Sequence, residues 1–129
     1  MTHAGPRVLV VADDLIWRTR LVEQLREVGA EPVVARPPAG GSNPAPDIAA
    51  AVVDLTARAY DGVAEIESHR AAGRAVLAVG QHDDHELRKR ALAAGADRVL
   101  AYRKLFDDGP AILQAWLEGI SRAEEPIRR

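Results

Sequence analysis

Apolar residues fall in four short uninterrupted runs, with stretches of helical spacing between them. The longest run, Ile48–Val53, is small or β-branched throughout and lies between Asp47 and Asp54. A run without alternation suits a strand covered on both faces, as in the middle of a parallel sheet. Val8–Val11, Val76–Val79 and Val99–Ala101 repeat the pattern and end just before Asp13, Gly80 and Tyr102. Strands are therefore predicted over Arg7–Ala12, Asp47–Asp54, Ala75–Val79 and Arg98–Ala101. A less apolar strand, Glu31–Ala35, suits a sheet edge.

Helices are predicted between these strands. Asp13 or Asp14 caps a helix from Leu15 to Val28, with Val22, Leu25 and Val28 on one face and Gly29 as its stop. Asp61–Ala72 forms the next, with Val63, Ile66 and Ala59 inward and Gly73 closing it. Asp83 and Glu86 read as a capping box for a helix that runs to Ala94 and stops at Gly95. The last runs from Pro110 to Ala123 and buries Ile112, Leu113, Trp116, Leu117 and Ile120, with Leu105 and Phe106 in a preceding turn or early helical start.

Alternating strands and helices predict an α/β three-layer sandwich around a five-stranded parallel sheet. Right-handed crossovers leave the flavodoxin-like order 2-1-3-4-5 as the best solution. The crossover between strands 2 and 3 departs from the pattern. Residues 36–46 carry Pro-Pro-Ala-Gly-Gly-Ser-Asn-Pro-Ala-Pro, which cannot hold a helix, so that helix is shortened or replaced by a loop. A bridged deletion or a proline segment for a partner would each account for it. One domain over residues 1–123 is expected, with 124–129 a disordered tail.

Composition narrows the function. A net charge of −2 argues against a nucleic-acid binder, and the absence of cysteine removes thiol catalysis and thiolate metal sites. No apolar run approaches the roughly 18 residues of a membrane span, and the start lacks a signal core, so a cytoplasmic location is expected. Parallel sheets bind ligands beyond the carboxyl ends of their strands, which puts Asp13, Asp14 and Asp54 at the functional edge.

The residues at that edge resemble a response-regulator receiver domain, over Arg7 to Leu117. Val8-Leu9-Val10-Val11-Ala12-Asp13-Asp14 resembles the family's opening strand and acidic cluster. Val52-Val53-Asp54-Leu55 is similar to its phosphoacceptor strand. Ala93-Ala94-Gly95-Ala96-Asp97-Arg98-Val99-Leu100 resembles its turn into the last strand. The resemblance implies a phosphoacceptor at Asp54, a magnesium ion between Asp13 and Asp54, a Ser or Thr after the fourth strand and a Lys after the fifth. A carboxylate attacking a phosphoryl group needs such donors to neutralise charge on the equatorial oxygens.

Several of these positions are degenerate. Ala12 stands for one acid, Gly80 for the hydroxyl, Tyr102 for the lysine and Val99 for the usual aromatic, while Ala57-Arg58 replaces Met-Pro. Lys104-Leu105-Phe106 resembles the family's Lys-Pro-Phe. Two extra residues would move Lys104 about 6–7 Å along the strand, at roughly 3.3 Å per residue, and its side chain would have to reach back. The leading expectation is a pseudo-receiver, non-enzymatic and without a cofactor, that binds a protein partner such as a histidine kinase or a separate output protein. The alternative is a phosphorylatable receiver with Mg2+. A small flavodoxin-like cofactor-binding enzyme lacks a phosphate cradle and a catalytic triad.

Other constellations have bland readings. His82-Asp83-Asp84-His85 crowds metal-ligand types within one turn, but helix capping accounts for the acids. His69, Glu67 and Gly73 differ in residue type and spacing from a cobalamin-binding motif. Arg88-Lys89-Arg90 is a solvated face or a docking contact. Trp17 is either a packing element or a partner contact, and Trp116 is core.

Overall fold

Each predicted strand forms. In a computed structural model of the chain, described here for residues 5–35, 47–81 and 83–124, they are β1 (Arg7–Val11), β2 (Glu31–Val34), β3 (Ile48–Asp54), β4 (Ala75–Gly80) and β5 (Arg98–Ala101). All pair in parallel in the order β2-β1-β3-β4-β5. Four helices lie on the two faces: α1 (Leu15–Glu27), α2 (Gly62–Ala71), α3 (His85–Ala94) and α4 (Tyr102–Glu124). The expectations for the crossover at 36–46, for His82 and for the tail after Glu124 lie outside the described residues. Among the described residues, no helix is long and apolar enough to cross a membrane.

Successive side chains of a strand point to opposite faces, so the central strands feed two cores. Val8, Val10, Val52, Leu77 and Val79 pack with Leu21, Leu25, Leu113 and Trp116 under α1 and α4. Leu9, Val11, Val53, Val76 and Ala78 pack with Ile66 and Ala91 under α2 and α3. Both faces of β3 are thus dry, which explains its unbroken apolar run. Fully buried leucines such as Leu21, Leu25 and Leu113 each contribute on the order of 2 kcal/mol relative to exposure.

The helix ends follow local chemistry: of the two caps expected for α1 one is used, and the cap of α3 is corrected. Asp14, not Asp13, caps α1, accepting from the N–H groups of Ile16 and Trp17 at 2.9 and 3.1 Å. Asp84, not Asp83, caps α3 and accepts from Leu87 N–H at 3.1 Å. The third helical position is then Leu87, and no capping box with Glu86 forms. Gly29, Gly73 and Gly95 end α1, α2 and α3 at φ 88°, 85° and 120°, where a side chain would be strained.

One expectation fails for packing reasons, and the early helical start expected at Leu105 and Phe106 is found and reaches further back. Ala59 is exposed and Val63 half-buried, whereas α2 turns Glu65, Ile66 and His69 inward. The last helix starts directly after β5 at Tyr102, eight residues ahead of Pro110. It breaks at Asp108 (φ −128°, ψ 18°), so Pro110 lies in the first turn of its second segment. The break is compensated across the α1–α4 contact, where Gln24 Nε2 donates to the buried Leu105 carbonyl at 3.0 Å.

Candidate functional site

β1, β3, β4 and β5 end together at one rim. Val11 pairs with Val53, Asp54 with Val79 and Gly80 with Ala101. That register gathers Asp13, Asp14, Asp54 and Tyr102 around a cavity of about 470 Å³, together with Trp17, Thr56, Arg58 and Gln81. The acids expected to meet do so. Asp54 is 1% exposed, while Asp13 and Asp14 stand open at the mouth.

Asp54 is heavily engaged through one oxygen. Its Oδ1 accepts from Thr56 N–H at 3.0 Å and from the Thr56 hydroxyl at 2.9 Å. The Tyr102 hydroxyl donates to the same atom and lies against the Thr56 hydroxyl. A carboxylate oxygen offers about two lone-pair sites, so three donors saturate it. Burial first, and then the bond to Asp54, hold the Tyr102 hydroxyl protonated well above the usual tyrosine range. A neutral phenol therefore stands at the position where the resemblance implies an ammonium.

Other members of the rim are structural. Asp13 Oδ2 accepts from Arg58 and Ala59 N–H, each at 3.0 Å, and so fixes the loop after β3. The Tyr60 hydroxyl lies 2.6 Å from the Val11 carbonyl and 2.9 Å from the Asp54 carbonyl and ties the ends of β1 and β3 together. Burial, followed by the charges of Asp54 and Asp13, raises its pKa strongly. Trp17 stacks on Tyr102 with ring centroids 4.3 Å apart, which makes it a packing element of the rim.

The degenerate positions behave in different ways. A Cβ on Gly80 would meet the Leu55 side chain at 3.3 Å, so leucine fills the space beside β4. A hydroxyl is present nonetheless, from Thr56, but it is turned onto the carboxylate. Ala12 and Val99 are core residues. Lys104 does not reach back. Because the chain coils into α4 instead of extending from β5, its ammonium lies 3.0 Å from Asp108, four residues on.

Thr56 and Tyr60 went unnoticed in the sequence. Thr56 carried a signal, since an Asp followed two residues later by an N–H donor is an Asx turn. Tyr60 carried none, because its partners are backbone carbonyls brought close only by the fold. Magnesium demands near-octahedral oxygen ligation. Here Asp13 and Asp54 each have one oxygen committed to protein donors, and no group of three or more His, Asp or Glu among the described residues is arranged to hold a metal. Each of the two acids keeps a second oxygen that no donor among the described residues occupies, so two carboxylate ligands remain for such an ion, which usually takes one or two with water.

A second buried polar group lies under α2. His69 Nδ1 is 3.1 Å from Arg74 Nη1, and His69 Nε2 is 3.4 Å from Glu65 Oε1. Burial raises the Glu65 pKa, and burial followed by the Arg74 charge lowers that of His69. Both are pushed toward neutral forms, so the contact is weaker than an ion pair. This environment explains the buried histidine without a cofactor.

No family model matches the chain, and no curated protein matches it. Solved structures do. A CheY-like response-regulator receiver domain from Methanospirillum hungatei superposes with a TM-score of 0.76 at 20% identity, covering 93% of this chain and 99% of its own. The receiver domain of a sensor histidine kinase from Pseudomonas aeruginosa, with magnesium coordinated in its active-site cleft, gives 0.68 at 23% identity, covering 89% and 99%. A receiver domain of a modulated diguanylate cyclase from Desulfovibrio desulfuricans gives 0.71 at 22% identity, covering 93% and 99%. The chain has the flavodoxin-like fold of receiver domains.

Proposed function

We propose that this chain is a receiver-like signalling module that acts by binding another protein, with Asp54 retained as a structural carboxylate. The observation that carries the reading is the saturation of Asp54 Oδ1 by Thr56 and Tyr102. A nucleophilic carboxylate must present a free lone pair in line with the phosphorus and have positive charge nearby for the equatorial oxygens. Tyr102 supplies a neutral donor, aimed at the nucleophile. In a comparable setting, each missing fixed donor costs about 2.7–4 kcal/mol of transition-state stabilisation. With the lysine and the hydroxyl beside β4 both gone, the chemistry slows by several orders of magnitude.

A protein partner follows from the same reading, and a histidine kinase or a separate output protein in the cytoplasm is the class that fits. One of the compared receiver domains comes from a sensor histidine kinase. The module carries no catalytic role of its own.

One observation favours a second reading. Asp54 Oδ2 accepts no hydrogen bond among the described residues, and Asp54 lines the cavity. That oxygen is the atom a phosphorylatable receiver would use, with magnesium toward Asp13. Incubation with magnesium and acetyl phosphate, followed by intact-mass measurement, separates the two readings. No hydroxylamine-sensitive phosphate adduct is expected. A stoichiometric adduct that disappears in Asp54→Asn would overturn the proposal.

A further inference from the structure

The foot of the sheet, at the opposite end of its strands from Asp54, holds a second cavity. Ala49 and Ala75 stand at the starts of β3 and β4, and Ala49 precedes Asp54 along β3 by about 16 Å at roughly 3.3 Å per residue. The two alanines line a cavity of about 430 Å³ with Trp116, Gly119 and Ile120 of α4 and with Arg70 and Asp97. That volume falls in the range of small-molecule pockets, roughly 300–1,000 Å³. Alanine and glycine leave the space unfilled, and a Cβ added at Gly119 would meet nothing within 4 Å. Trp116, only 8% exposed, brings the largest side chain of the lining. A lining that is mostly apolar, with one aromatic and few polar groups, suits a flat organic molecule.

The polar pair is held in place but left unsatisfied. A Cβ on Gly95 would lie 2.6 Å from Arg70 Cγ, so the glycine makes the room that the arginine stem occupies. Arg70 Nη1 lies 3.5 Å from the Arg74 carbonyl and 3.9 Å from Asp97 Oδ1. The second distance is too long for a hydrogen bond. Asp97 Oδ2 accepts from the Trp116 indole N–H at 3.0 Å, which ties the carboxylate to the apolar lining. Asp97 Oδ1 accepts no hydrogen bond among the described residues, and the Arg70 guanidinium keeps most of its five N–H donors. A donor and an acceptor thus stand side by side at the cavity, on side chains 46% and 37% exposed.

Their charges select the ligand. The pair sums to zero, so an anion drawn to Arg70 meets the Asp97 carboxylate and a cation drawn to Asp97 meets the guanidinium. A neutral ring with an N–H next to a C=O satisfies both, its carbonyl accepting from Arg70 and its N–H donating to Asp97 Oδ1. We infer that this cavity is a binding site for a neutral, flat, fused-ring lactam, with its polar edge on Arg70 and Asp97 and its apolar rings against Trp116. The site is independent of the reading of Asp54, and a phosphate adduct on that residue would leave it standing.

The test is a titration of the full chain, labelled with 15N, with 4-quinazolinone, whose ring N–H adjoins its carbonyl. The two tryptophan indole N–H signals are read by NMR, and Trp17→Phe tells them apart. A saturable shift at Trp116 is expected, with a Kd below about 1 mM, while Trp17 stays still. The 3-methyl derivative, which lacks the N–H, should bind about tenfold more weakly through loss of one hydrogen bond to a charged group. Arg70→Met, at a half-exposed position, should weaken binding by a similar factor. Gly119→Leu adds a side chain in open space and favours the helix, so it should weaken binding about tenfold or more without lowering the urea midpoint. Absence of saturation, equal binding of the methylated probe, unchanged affinity in either variant, or a shift as large at Trp17 would each overturn the inference.

Discussion

Tyr102 shows how one substitution changes the role of its neighbours. A lysine would leave the Asp54 carboxylate free to react and place a positive charge beside it. The phenol instead binds Asp54 Oδ1 and stacks on Trp17. Tyr102→Phe should lower stability by about 1 kcal/mol, the net worth of one half-buried hydrogen bond, with the stack preserved. Urea unfolding at neutral pH checks this, and a change above about 3 kcal/mol would mean that the phenol does more than bind Asp54. The two tyrosines of the chain, Tyr60 and Tyr102, are both held protonated above the ordinary value. An unfolded chain loses these protons near pH 10. Their contribution is therefore complete below about pH 10 and is lost as pH rises above it. Absorbance at 295 nm should show tyrosinate only as the fold is lost, whereas gradual ionisation near pH 10 in a folded protein would contradict the site. His69 acts in the opposite direction. Its folded pKa is lowered, so the unfolded chain takes up the proton first and stability is lost as pH falls below about 6.5. His69→Gln should flatten the change in urea midpoint between about pH 7.5 and 5.5.

At the scale of elements, α4 differs most from its expectation. The helix is interrupted at Asp108, two residues before Pro110, where the last helix is expected to begin. The residues before it are helical all the same, because Leu105 is fully buried against the core and Gln24 of α1 binds its carbonyl. Tertiary packing decides how far back this start reaches, to Tyr102 and beyond the early helical start expected at Leu105 and Phe106. Lys104 follows from the same fact, since the helical spacing that carries it away from Asp54 also sets it beside Asp108. Asp54 and Asp13 were legible because strand length alone brings them to the rim. The partners of Asp54 were not, since Tyr102 lies 48 residues away in the chain. Glu65 was missed, and His69 was read beside Glu67 instead, because a polar residue on the inward face of a helix looks like an outward one. Two glycines of α4 test the packing. A Cβ on Gly109 would lie 2.1 Å from Gln24 Oε1, while nothing lies within 4 Å of one on Gly119. Gly109→Ala should cost roughly 1–3 kcal/mol through overpacking, and Gly119→Ala should gain up to about 1 kcal/mol from helix propensity. Thermal unfolding of the two variants should move in opposite directions.

The molecule as a whole has the fold of receiver domains, with Asp54 held by Thr56 and Tyr102 at the rim of its sheet. Its two cores rest on the paired faces of β1, β3 and β4, and Trp17, Tyr60 and Tyr102 of the rim pack against their ends. The account stands or falls on the state of Asp54, and the most direct measurement is a crystal structure of the protein grown with magnesium and beryllofluoride, a phosphoryl mimic. The account predicts an unmodified Asp54 whose Oδ1 still accepts from Thr56 and Tyr102, with Trp17 stacked on the phenol. Beryllofluoride bonded to Asp54, with magnesium at Asp13 and Tyr102 swung out of the cavity, would contradict it.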